Sequence, residues 1–563
     1  MKSELDIELQ TILDRLTAPG GPFETGHVDH YGRRLPVFRK APPTLPAFFA
    51  HFCAQYRDRE FLVDGTIRLR FGDVHALARR TAIGLVARHG VRRGDHVGIV
   101  AANSVNWIIA YMAVLMAGGC AVLLNAWCTG EELADAIAIA DCDLVLADPE
   151  RAARLEGRGV DARIVIFTQG EPASGLSALA ADTDEDLQLP EPRSEDIATI
   201  LFTSGSTGLS KAAFSNHRSV IQSAMNIACQ ALTLVTQRAA HGVPRPPQEA
   251  TLLCVPLFHA VGEIALLLKS FVSGRKLVIM PKWDAADAMR LIEREGITFF
   301  TGVPLMSHEI ATHPDRARYD LTSCGYFAAG GAAQPAEHVL AIHDSMRHAL
   351  PIQGYGLTET NSMGCVNFTR NYLAKPNSTG PASAPLVELA ILGPEGEALP
   401  PGMAGEIAIR SVCNFGGYWN NPEATALAIR PDGYFLTGDL GRIDEDGYLF
   451  VIDRKKDIII RGGENIAAIE VERAIYSHPD IAEASVFGLP DERFGEVPVA
   501  VYHAKAGQRL DARELQRHLA ERIAAFKIPV QFWEQDEALP RLGAEKVDKR
   551  ALKDRYARLW GKG

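Results

Sequence analysis

The sequence predicts an α/β protein whose large N-terminal domain contains two parallel-sheet αβ subdomains and a small β-barrel-like unit, followed by a small α+β C-terminal domain. Three observations support this prediction. A chain of 563 residues is too long to fold around one hydrophobic core. Strand-length and helix-length segments alternate over about residues 60–150 and again over about 250–355. After about residue 380 the segments shorten, and the last hundred or so residues carry a compact α+β pattern.

The first alternating run is a regular series of strands and helices. In order, its segments are FLVDG and IRLRFG (strands), DVHALARRTAIGLVARHG (helix), HVGIVAAN (strand), a second helix, CAVLLN (strand), GEELADAIAIAD (helix) and LVLAD (strand). This pattern predicts a parallel sheet covered by helices on both faces. The apolar stretch from Trp107 to Trp127 is long enough to span a membrane. Gly118 and Gly119 divide it, however, so a buried helix followed by a buried strand is the favoured interpretation.

The second run predicts another covered parallel sheet. Its segments are TLLCVPLF, a helix, KLVIM, the helix DAADAMRLIEREG, TFFTGVP and later GYFAAGG. The stretch RAAHGVPRPPQEA at 238–250 is Pro-rich and charged, and we expect it to be an exposed loop.

The remaining chain predicts a small antiparallel β-unit and a separate domain. The strands VELAIL, GEIAIRS, GYFLTGDLGRI and GYLFVI are separated by Gly, Pro and Asp turns. The charged run RKKD at 454–457 is a candidate hinge. After it come the helix IEVERAIYSHP, the strands EASVFGLP and PVAVYHA, and the helix RELQRHLAERIAAF. We therefore expect a large domain at 1–454 and a small domain at 455–563.

The composition argues against some classes of function. A net charge of -11 does not suit a general nucleic-acid-binding protein, which needs a basic surface. The nine cysteines are scattered without C-x-x-C spacing, which predicts neither a disulfide framework nor a structural zinc site and favours the cytoplasm. The N-terminus, MKSELDIELQTILDRL, carries acids where a signal peptide has bases and predicts an amphipathic helix. Monomer and homodimer both stay open.

A loop rich in hydroxyl residues and glycines is the first segment that indicates chemistry. In TILFTSGSTGLSKAAFSNH, at 199–217, an apolar strand leads into Thr203, Ser204, Gly205, Ser206, Thr207 and Gly208, and then Lys211. Small residues let the backbone approach phosphate oxygens, and a lysine supplies compensating charge. A solvated Ser/Gly linker is the alternative, but a linker would not follow a buried strand so tightly. A Walker P-loop is excluded because no lysine follows the second glycine at the required spacing.

Two further segments carry groups suited to a nucleotide. In GYGLTET, at 354–360, Tyr355 can stack on a base, Thr358 can contact a phosphate and Glu359 can hold Mg²⁺ through a hard oxygen. In the longer segment at 433–472, Asp439 follows a Thr-Gly turn and can accept two ribose hydroxyls, although a turn-capping role is its alternative. Arg454 lies where the β-unit is predicted to end.

Together these segments resemble the adenylate-forming superfamily of acyl-CoA synthetases, peptide-synthetase adenylation domains and firefly luciferase. The resemblance covers the chain from about residue 50 to the end. The family loop reads roughly TSGTTGxPKG, whereas this chain has TSGSTGLSKAA, with Ser210 and Ala212 in place of the usual proline and glycine. Among members of the family, the chain is most similar to medium- or long-chain fatty-acid and aryl-acid CoA ligases.

The resemblance implies roles for individual residues. Lys211 and the loop before it would contact phosphates, Thr358 and Glu359 phosphate and magnesium, and Asp439 and Arg454 the ribose. The adenine would lie between Tyr355 and the loop Gly330, Gly331 and Ala332, next to Gly356. The motif PLFHAVG would place His259 at the mouth of the acyl pocket, although a packing role is its alternative. The expected lining of that pocket is His259, Val261, Gly262, Gly330, Gly356, Met363 and Gly364.

A lysine near the C-terminus completes the resemblance. The segment LPRLGAEKVDKRAL, at 539–552, is similar to the family pattern LPxTxxGKxxRRxL, whose lysine binds the carboxylate and the α-phosphate. This register assigns Lys546, with Lys549 and Arg550 as the basic pair that follows. Glu545 replaces the usual glycine before the lysine.

The implied activity is that of an ATP-dependent carboxylic acid:CoA ligase. It would form an acyl-adenylate with release of pyrophosphate, then an acyl-CoA, using ATP, Mg²⁺ and coenzyme A. Rotation of the small domain about Lys456 would exchange Lys546 for Gly462 and Gly463, which would border the CoA channel. Glycine at 356, where acetyl-CoA synthetases carry tryptophan, predicts a fatty, branched or aryl acid larger than acetate. Three alternatives are loading of a carrier protein supplied in trans, a luciferase-like oxidative enzyme and a catalytically silent ligand-binding protein.

Overall fold

The computed structural model describes residues 2–180, 187–203, 211–330, 336–346, 348–505, 507–541 and 547–560. These residues form an α/β fold with a large N-terminal part, built on two mixed sheets and a small antiparallel β-unit, and a smaller α+β C-terminal part. The predicted fold class is confirmed.

The first sheet has seven strands and is mostly parallel. In spatial order its strands are Gly417–Tyr418, Lys211–Asn216, Ile197–Thr203, Cys120–Leu123, His96–Val100, Leu144–Ala147 and Arg163–Ile166. The strand Lys211–Asn216 runs antiparallel to Ile197–Thr203. Both ends of the loop between them therefore lie at the carboxyl end of Ile197–Thr203.

The second sheet has eight strands and a parallel centre. In spatial order its strands are Gly364–Phe368, Leu350–Gly356, Tyr326–Ala329, Phe299–Gly302, Ala250–Leu253, Lys276–Ile279, Glu60–Asp64 and Ile67–Arg70. The last two correct the sequence interpretation, which grouped them with the first sheet. Glu60–Asp64 instead pairs with Lys276–Ile279, more than 200 residues away along the chain.

Two antiparallel units follow in the chain. The predicted β-unit is a sheet of the strands Val387–Leu392, Gly405–Ser411, Phe435–Ile443 and Leu449–Arg454. The C-terminal sheet contains Glu464–Ile466, Ile459–Arg461, Gly495–Ala504 and Ile481–Asp491, with Gln531–Glu534 pairing in parallel with Gly495–Ala504. A separate hairpin joins Thr25–His30 to Arg33–Phe38.

Helices cover the sheets and close the termini. The α-helices are Glu4–Thr17, Leu45–Gln55, Phe71–Ala87, Val105–Met116, Gly130–Ile139, Pro149–Leu155, Pro172–Gly175, His217–Ala240, Lys269–Ser273, Ala285–Glu295, Pro304–Thr312, Ala336–Ser345, Thr369–Ala374, Pro422–Ala428, Ala468–Tyr476, Ala512–Ala520 and Lys549–Trp560. Val261–Leu268 forms a π-helix, and Arg316–Arg318, Thr358–Thr360 and Ala525–Lys527 form single 3₁₀ turns.

The apolar stretch that begins at Trp107 folds as a buried helix, Val105–Met116, and a buried parallel strand, Cys120–Leu123, as predicted. Gly118 makes the turn between them at a φ of 81°, a left-handed conformation that favours glycine. In the part of the chain that the structure describes, no helix has both the length and the apolar character needed to cross a bilayer.

The hydrophobic core divides near residue 455. One large cluster runs from Leu13 to Leu449 in sequence and fills the space around the first two sheets and part of the β-unit. The buried residues from Ile459 onward form two clusters of their own, on either face of the C-terminal sheet. Each part therefore has its own core.

Candidate active site

A cavity of about 1460 Å³ lies where the carboxyl ends of strands from the first two sheets meet the β-unit. The cavity brings together most of the described residues that the sequence singled out, although they come from segments more than 250 residues apart. Those that line it are Thr203, Lys211, His259, Val261, Gly330, Tyr355, Gly356, Thr358, Glu359, Asp439, Arg454 and Lys456.

Tyr355, Asp439 and Arg454 form one polar cluster in the cavity wall. The Tyr355 hydroxyl donates to Oδ2 of Asp439 over 2.6 Å, and Nε of Arg454 lies 3.6 Å from Oδ1 of the same carboxylate. Asp439 and Arg454 face each other across the Phe435–Ile443 and Leu449–Arg454 strands. Burial, together with the charge of Asp439, raises the pKa of Tyr355 well above its usual range, so the phenol stays protonated.

Glu359 and Lys211 are joined through a residue that sequence reasoning missed, Tyr418. The Tyr418 hydroxyl donates to Oε1 of Glu359 over 2.9 Å, and the Lys211 ammonium lies 4.8 Å from the centre of the Tyr418 ring. Tyr418 reaches this place because its two-residue strand, Gly417–Tyr418, pairs with Ala213 and Phe214 at the edge of the first sheet. The sequence carried no local signal for this pairing.

Burial raises the pKa of Glu359, whereas hydrogen bonds from a backbone N–H and Tyr418 and the charges of Arg454 and Lys211 lower it. Magnesium in phosphate-transfer sites is commonly held by one or two carboxylates together with the substrate phosphates. A single hard carboxylate facing the cavity beside the Thr358 hydroxyl fits that donor set. The described residues contain no group of three or more side chains that would hold a metal ion without a substrate.

His259 lies in the loop between the Ala250–Leu253 strand and the Val261–Leu268 π-helix. Its ring lines the cavity at 4.7 Å from the ring of Phe258. The π-helix begins directly after it, with the Glu263 N–H donating to the His259 carbonyl over 2.9 Å. π-helical segments are frequent at functional sites.

Behind this loop lies a second unforeseen pair, Glu263 and Tyr111. Both side chains are buried, and the Tyr111 hydroxyl donates to Oε1 of Glu263 over 2.7 Å. Oε2 of Glu263 has no hydrogen-bond partner in the described part of the chain. Burial raises the pKa of Glu263 to about 7, although the bond from Tyr111 lowers it.

Three residues expected in the acyl pocket lie behind its wall instead. Gly262, Met363 and Gly364 are buried and do not line the cavity. A Cβ on Gly262 would come within 2.1 Å of the Pro256 carbonyl oxygen, so glycine is required there by close backbone packing.

Glycine is also required at position 356, because another segment of backbone lies close to it. It pairs with Gly364 in the antiparallel ladder, and a Cβ on Gly356 would lie 2.4 Å from the Ser362 carbonyl oxygen. Its missing side chain therefore does not by itself create room for the acid.

The turn at Gly462 and Gly463 connects Ile459–Arg461 to Glu464–Ile466, with φ of 59° and 90°. These glycines do not line the cavity in this arrangement of the two parts of the chain. Lys456 lies in the turn directly after the last strand of the β-unit and does line it.

The other expected site residues, Ser204, Gly205, Ser206, Thr207, Gly208, Gly331, Ala332 and Lys546, lie outside the described residues, as does Glu545. The structure does describe Lys549. Its ammonium lies 2.7 Å from Glu472 inside the C-terminal part. The register that assigns the substrate-binding role to Lys546 stays a prediction.

Two family models match this chain. The family model described as "AMP-binding enzyme" matches residues 49–419, and the one described as "AMP-binding enzyme C-terminal domain" matches residues 470–546.

Among curated relatives, a feruloyl-CoA synthase from an Amycolatopsis species is 33% identical over 492 residues, which cover 87% of this chain and 95% of the relative. A 2-succinylbenzoate–CoA ligase from Geobacillus kaustophilus is 33% identical over 517 residues, covering 91% and 98%. Among solved structures, ATP-bound MatB from Rhodopseudomonas palustris superposes with a TM-score of 0.82 at 29% identity, covering 92% of this chain and 100% of that one.

Proposed function

The chain belongs to the AMP-binding enzyme family and is an AMP-forming acid–CoA ligase, and we propose that its acid is an apolar carboxylic acid larger than acetate: fatty, branched or aryl-alkanoic. The observation that carries this proposal is the side of the cavity next to His259. Its lining is predominantly apolar, with contributions from Cys254, Val255, Pro256, Phe258, Ala260, Val261, Val303 and Met306. An apolar lining of this kind binds an acid by burying its hydrocarbon part.

The nucleotide would occupy the polar side of the same cavity. The ring of Tyr355 offers a stacking face for adenine, and the Asp439 carboxylate, with Arg454 beside it, offers acceptors for the ribose hydroxyls. The phosphates would lie toward Thr203, Lys211 and the hydroxyl-rich loop between them. Mg²⁺, held by Glu359 with Thr358 beside it, would neutralise charge on the phosphate oxygens.

In the first half-reaction the substrate carboxylate attacks the α-phosphate of ATP, forming the acyl–phosphate bond as pyrophosphate leaves. Negative charge develops on the phosphoryl oxygens, so fixed cations and donors stabilise the transition state. Lys211 is held in place over the Tyr418 ring, and Lys546 would supply the second cation at the reacting carboxylate. The thiol of CoA then displaces AMP from the adenylate.

Thioester formation would require the small domain, which we place at residues 455–563, to turn about Lys456 and bring Gly462 and Gly463 to the cavity. The two curated relatives join their acids to CoA, which favours CoA over a carrier protein as the acceptor. All nine cysteines are free thiols, which supports a reducing cytoplasm as the compartment.

The test is acid-dependent ATP–pyrophosphate exchange with straight-chain, branched and aryl acids, followed by mass analysis of products with and without CoA. We expect exchange with apolar acids and an acyl-CoA product only when CoA is present. No exchange with any acid would overturn the proposed function. Exchange with acetate alone would overturn the proposed acid class.

A further inference from the structure

The apolar part of the cavity follows the carboxyl edge of the second sheet. Five neighbouring strands of that sheet run parallel, in the order Leu350–Gly356, Tyr326–Ala329, Phe299–Gly302, Ala250–Leu253 and Lys276–Ile279. Each contributes lining residues at or just after its carboxyl end. In the same order these are Tyr355, Gly330, Val303, Cys254 and Trp283.

This order gives the apolar part a direction and an approximate length. It starts at the strand of Tyr355, beside the polar cluster, and ends after the strand that precedes Trp283. Neighbouring strands are about 4.8 Å apart, so four steps across the sheet span about 19 Å. Of the lining residues that these five strands contribute, Trp283 therefore follows the strand farthest from that of Tyr355.

The Trp283 indole is held in place from two directions. Its Nε1–H donates to Oε2 of Glu309 over 2.5 Å, and its ring centre lies 5.9 Å from that of the fully buried Phe300. Glu309 is on the helix Pro304–Thr312, three residues after Met306, which also lines the cavity. The indole thus connects the loop after one strand to the helix after another.

The chain next to this indole reaches the surface of the protein. Pro281 and Lys282, the two residues before Trp283, are exposed, whereas Trp283 is partly buried. A bulky aromatic group thus lines the cavity next to a segment of exposed chain. A large aromatic side chain fixed by a hydrogen bond can limit the length of a ligand, because the ligand cannot pass without displacing it.

We propose that Trp283 is the end wall of the acid-binding pocket and sets the longest acid that the enzyme activates, with Glu309 as the positioning residue that holds the indole across the exit. This inference rests on the proposed function, because it assumes that the apolar side of the cavity binds the acid. It adds the residue that determines the length limit and the direction in which the acid lies.

The first test is a length series of straight-chain acids, from butanoate to hexadecanoate, assayed by ATP–pyrophosphate exchange in the wild type and in Trp283→Ala. In the wild type we expect kcat/KM to rise with length and then fall sharply. One methylene too many in a closed apolar pocket costs about 10–200-fold in kcat/KM. In Trp283→Ala the fall should shift to longer acids, with kcat/KM for the first rejected acid rising at least about tenfold relative to butanoate.

Trp560→Ala is the matched control. Trp560 also holds its indole by a hydrogen bond, 2.8 Å to the Pro490 carbonyl, but lies on the last helix and does not line the cavity. Its replacement should leave the order of preferred acids unchanged. A shift in both variants would show that the profile responds to general loosening of the fold and would overturn the proposal.

The role of Glu309 is tested by two substitutions. Glu309→Gln keeps an oxygen that can accept from the indole, so the length limit should stay in place. Glu309→Leu removes the acceptor, so longer acids should gain activity, by less than in Trp283→Ala. A purely structural role for Glu309 would lower activity with all acids alike, and that result would overturn its assignment.

The failures of this inference and of the proposed function are distinguishable. A wild type inactive with every acid contradicts the proposed function. An active wild type with the same length profile in Trp283→Ala contradicts only the end wall. If Trp283→Ala is inactive with every acid, the length profile of Trp283→Leu is compared with that of the wild type instead. An unchanged profile in Trp283→Leu then contradicts the end wall. Loss of all activity in both, with Trp560→Ala active, overturns the proposal.

Discussion

Tyr418 donates a hydrogen bond of 2.9 Å to Oε1 of Glu359, the carboxylate to which we assign magnesium binding. The bond matters because burial raises the pKa of Glu359 and donation from Tyr418 opposes that change. Tyr418 thus helps to keep a buried acid ionised while its ring holds Lys211. One tyrosine contacts two of the charged groups that would face the phosphates.

Removing that hydroxyl should shift the pH dependence of adenylation. In Tyr418→Phe the ring remains under Lys211, but the pKa of Glu359 rises. The carboxylate is then protonated at higher pH, so the acidic limb of the pH–rate profile should move upward. A hydrogen bond to a charged group contributes about 1.5–3 kcal/mol, so the acidic limb should move up by about one to two pH units. Tyr434→Phe, which loses a bond to the exposed Glu388, is the control. An unmoved acidic limb would contradict the role of Tyr418.

Asp439 should contribute more to ATP binding than the hydroxyl of its partner Tyr355. Asp439→Asn loses the charge that pairs with Arg454, and we expect KM for ATP to rise by about tenfold or more. Tyr355→Phe keeps the stacking ring and leaves the carboxylate free for the ribose, so KM should change by no more than about threefold. Steady-state exchange at varied ATP measures both. A larger effect in Tyr355→Phe would show that the hydroxyl, and not the carboxylate, binds the nucleotide.

Glu263 should make the protein less stable as the pH rises. Its pKa is about 7 in the folded state against an ordinary value of 4.5, so the folded protein holds this proton more tightly than the unfolded chain. The free energy of unfolding should therefore fall between pH 4.5 and about 7, and by about 3 kcal/mol if this group acts alone. Glu263→Gln cannot ionise and still accepts from Tyr111, so it should be more stable than the wild type above pH 7.

Urea unfolding at several pH values measures this difference, and Glu295→Gln supplies a control of opposite sign. Burial would raise the pKa of Glu295, but hydrogen bonds from Arg68 and Lys276 lower it to about 2. Glu295 therefore stabilises the fold above its ordinary pKa of 4.5, and this stability is lost as the pH falls toward 2. Glu295→Gln should be destabilising at neutral pH. A Glu263→Gln protein less stable than the wild type at pH 8 would contradict the assignment.

The turn at Lys456 should matter for only one of the two half-reactions. Proline fixes φ and restricts the residue before it, here Lys455, to extended conformations. Lys456→Pro should slow thioester formation by about tenfold or more and leave adenylate formation within about threefold. Single-turnover measurement of each half-reaction separates them. Equal loss in both would reject Lys456 as the hinge.

Replacing each of the two C-terminal lysines should have a different effect, one on stability and the other on activity. Lys549→Ala removes the cationic partner of Glu472, which keeps its bond from the Val486 N–H, and we expect a loss of about 1.5–3 kcal/mol in the free energy of unfolding. Lys546→Ala should lower adenylation by about a hundredfold with an unchanged Tm. Thermal unfolding and exchange assays test both. Full activity in Lys546→Ala would show that the lysine motif is in another register.

The sequence predicted the elements that have strong local periodicity. The buried helix at 105–116 and the strand at 120–123 could be read from apolar runs divided by two glycines, and the β-unit from short strands between turns. The sheet to which Glu60–Asp64 belongs could not be predicted, because its partner Lys276–Ile279 is chosen by packing across the whole domain.

The same limit applies to the site. Tyr355, Glu359 and Asp439 lie in segments whose residue pattern is recognisable, and the structure brings all three to one cavity. Tyr418 and Trp283 act through contacts with residues distant in sequence, Glu359 and Glu309, that no local pattern encodes. Gly262 and Gly364 were expected to line the pocket, but glycine is needed at both positions for close backbone contacts that only the folded chain shows.

The order of strands in the second sheet makes the two ends of the cavity separately adjustable. In the arrangement that we propose, the nucleotide end depends on Tyr355 and on the β-unit, whereas the acid end depends on loops after four other strands of the same sheet. Substitutions in the loop at 281–283 can alter which acid is accepted while the nucleotide-binding side chains keep their positions. A scaffold of this kind allows new substrates to be acquired one loop at a time, by natural selection or by design.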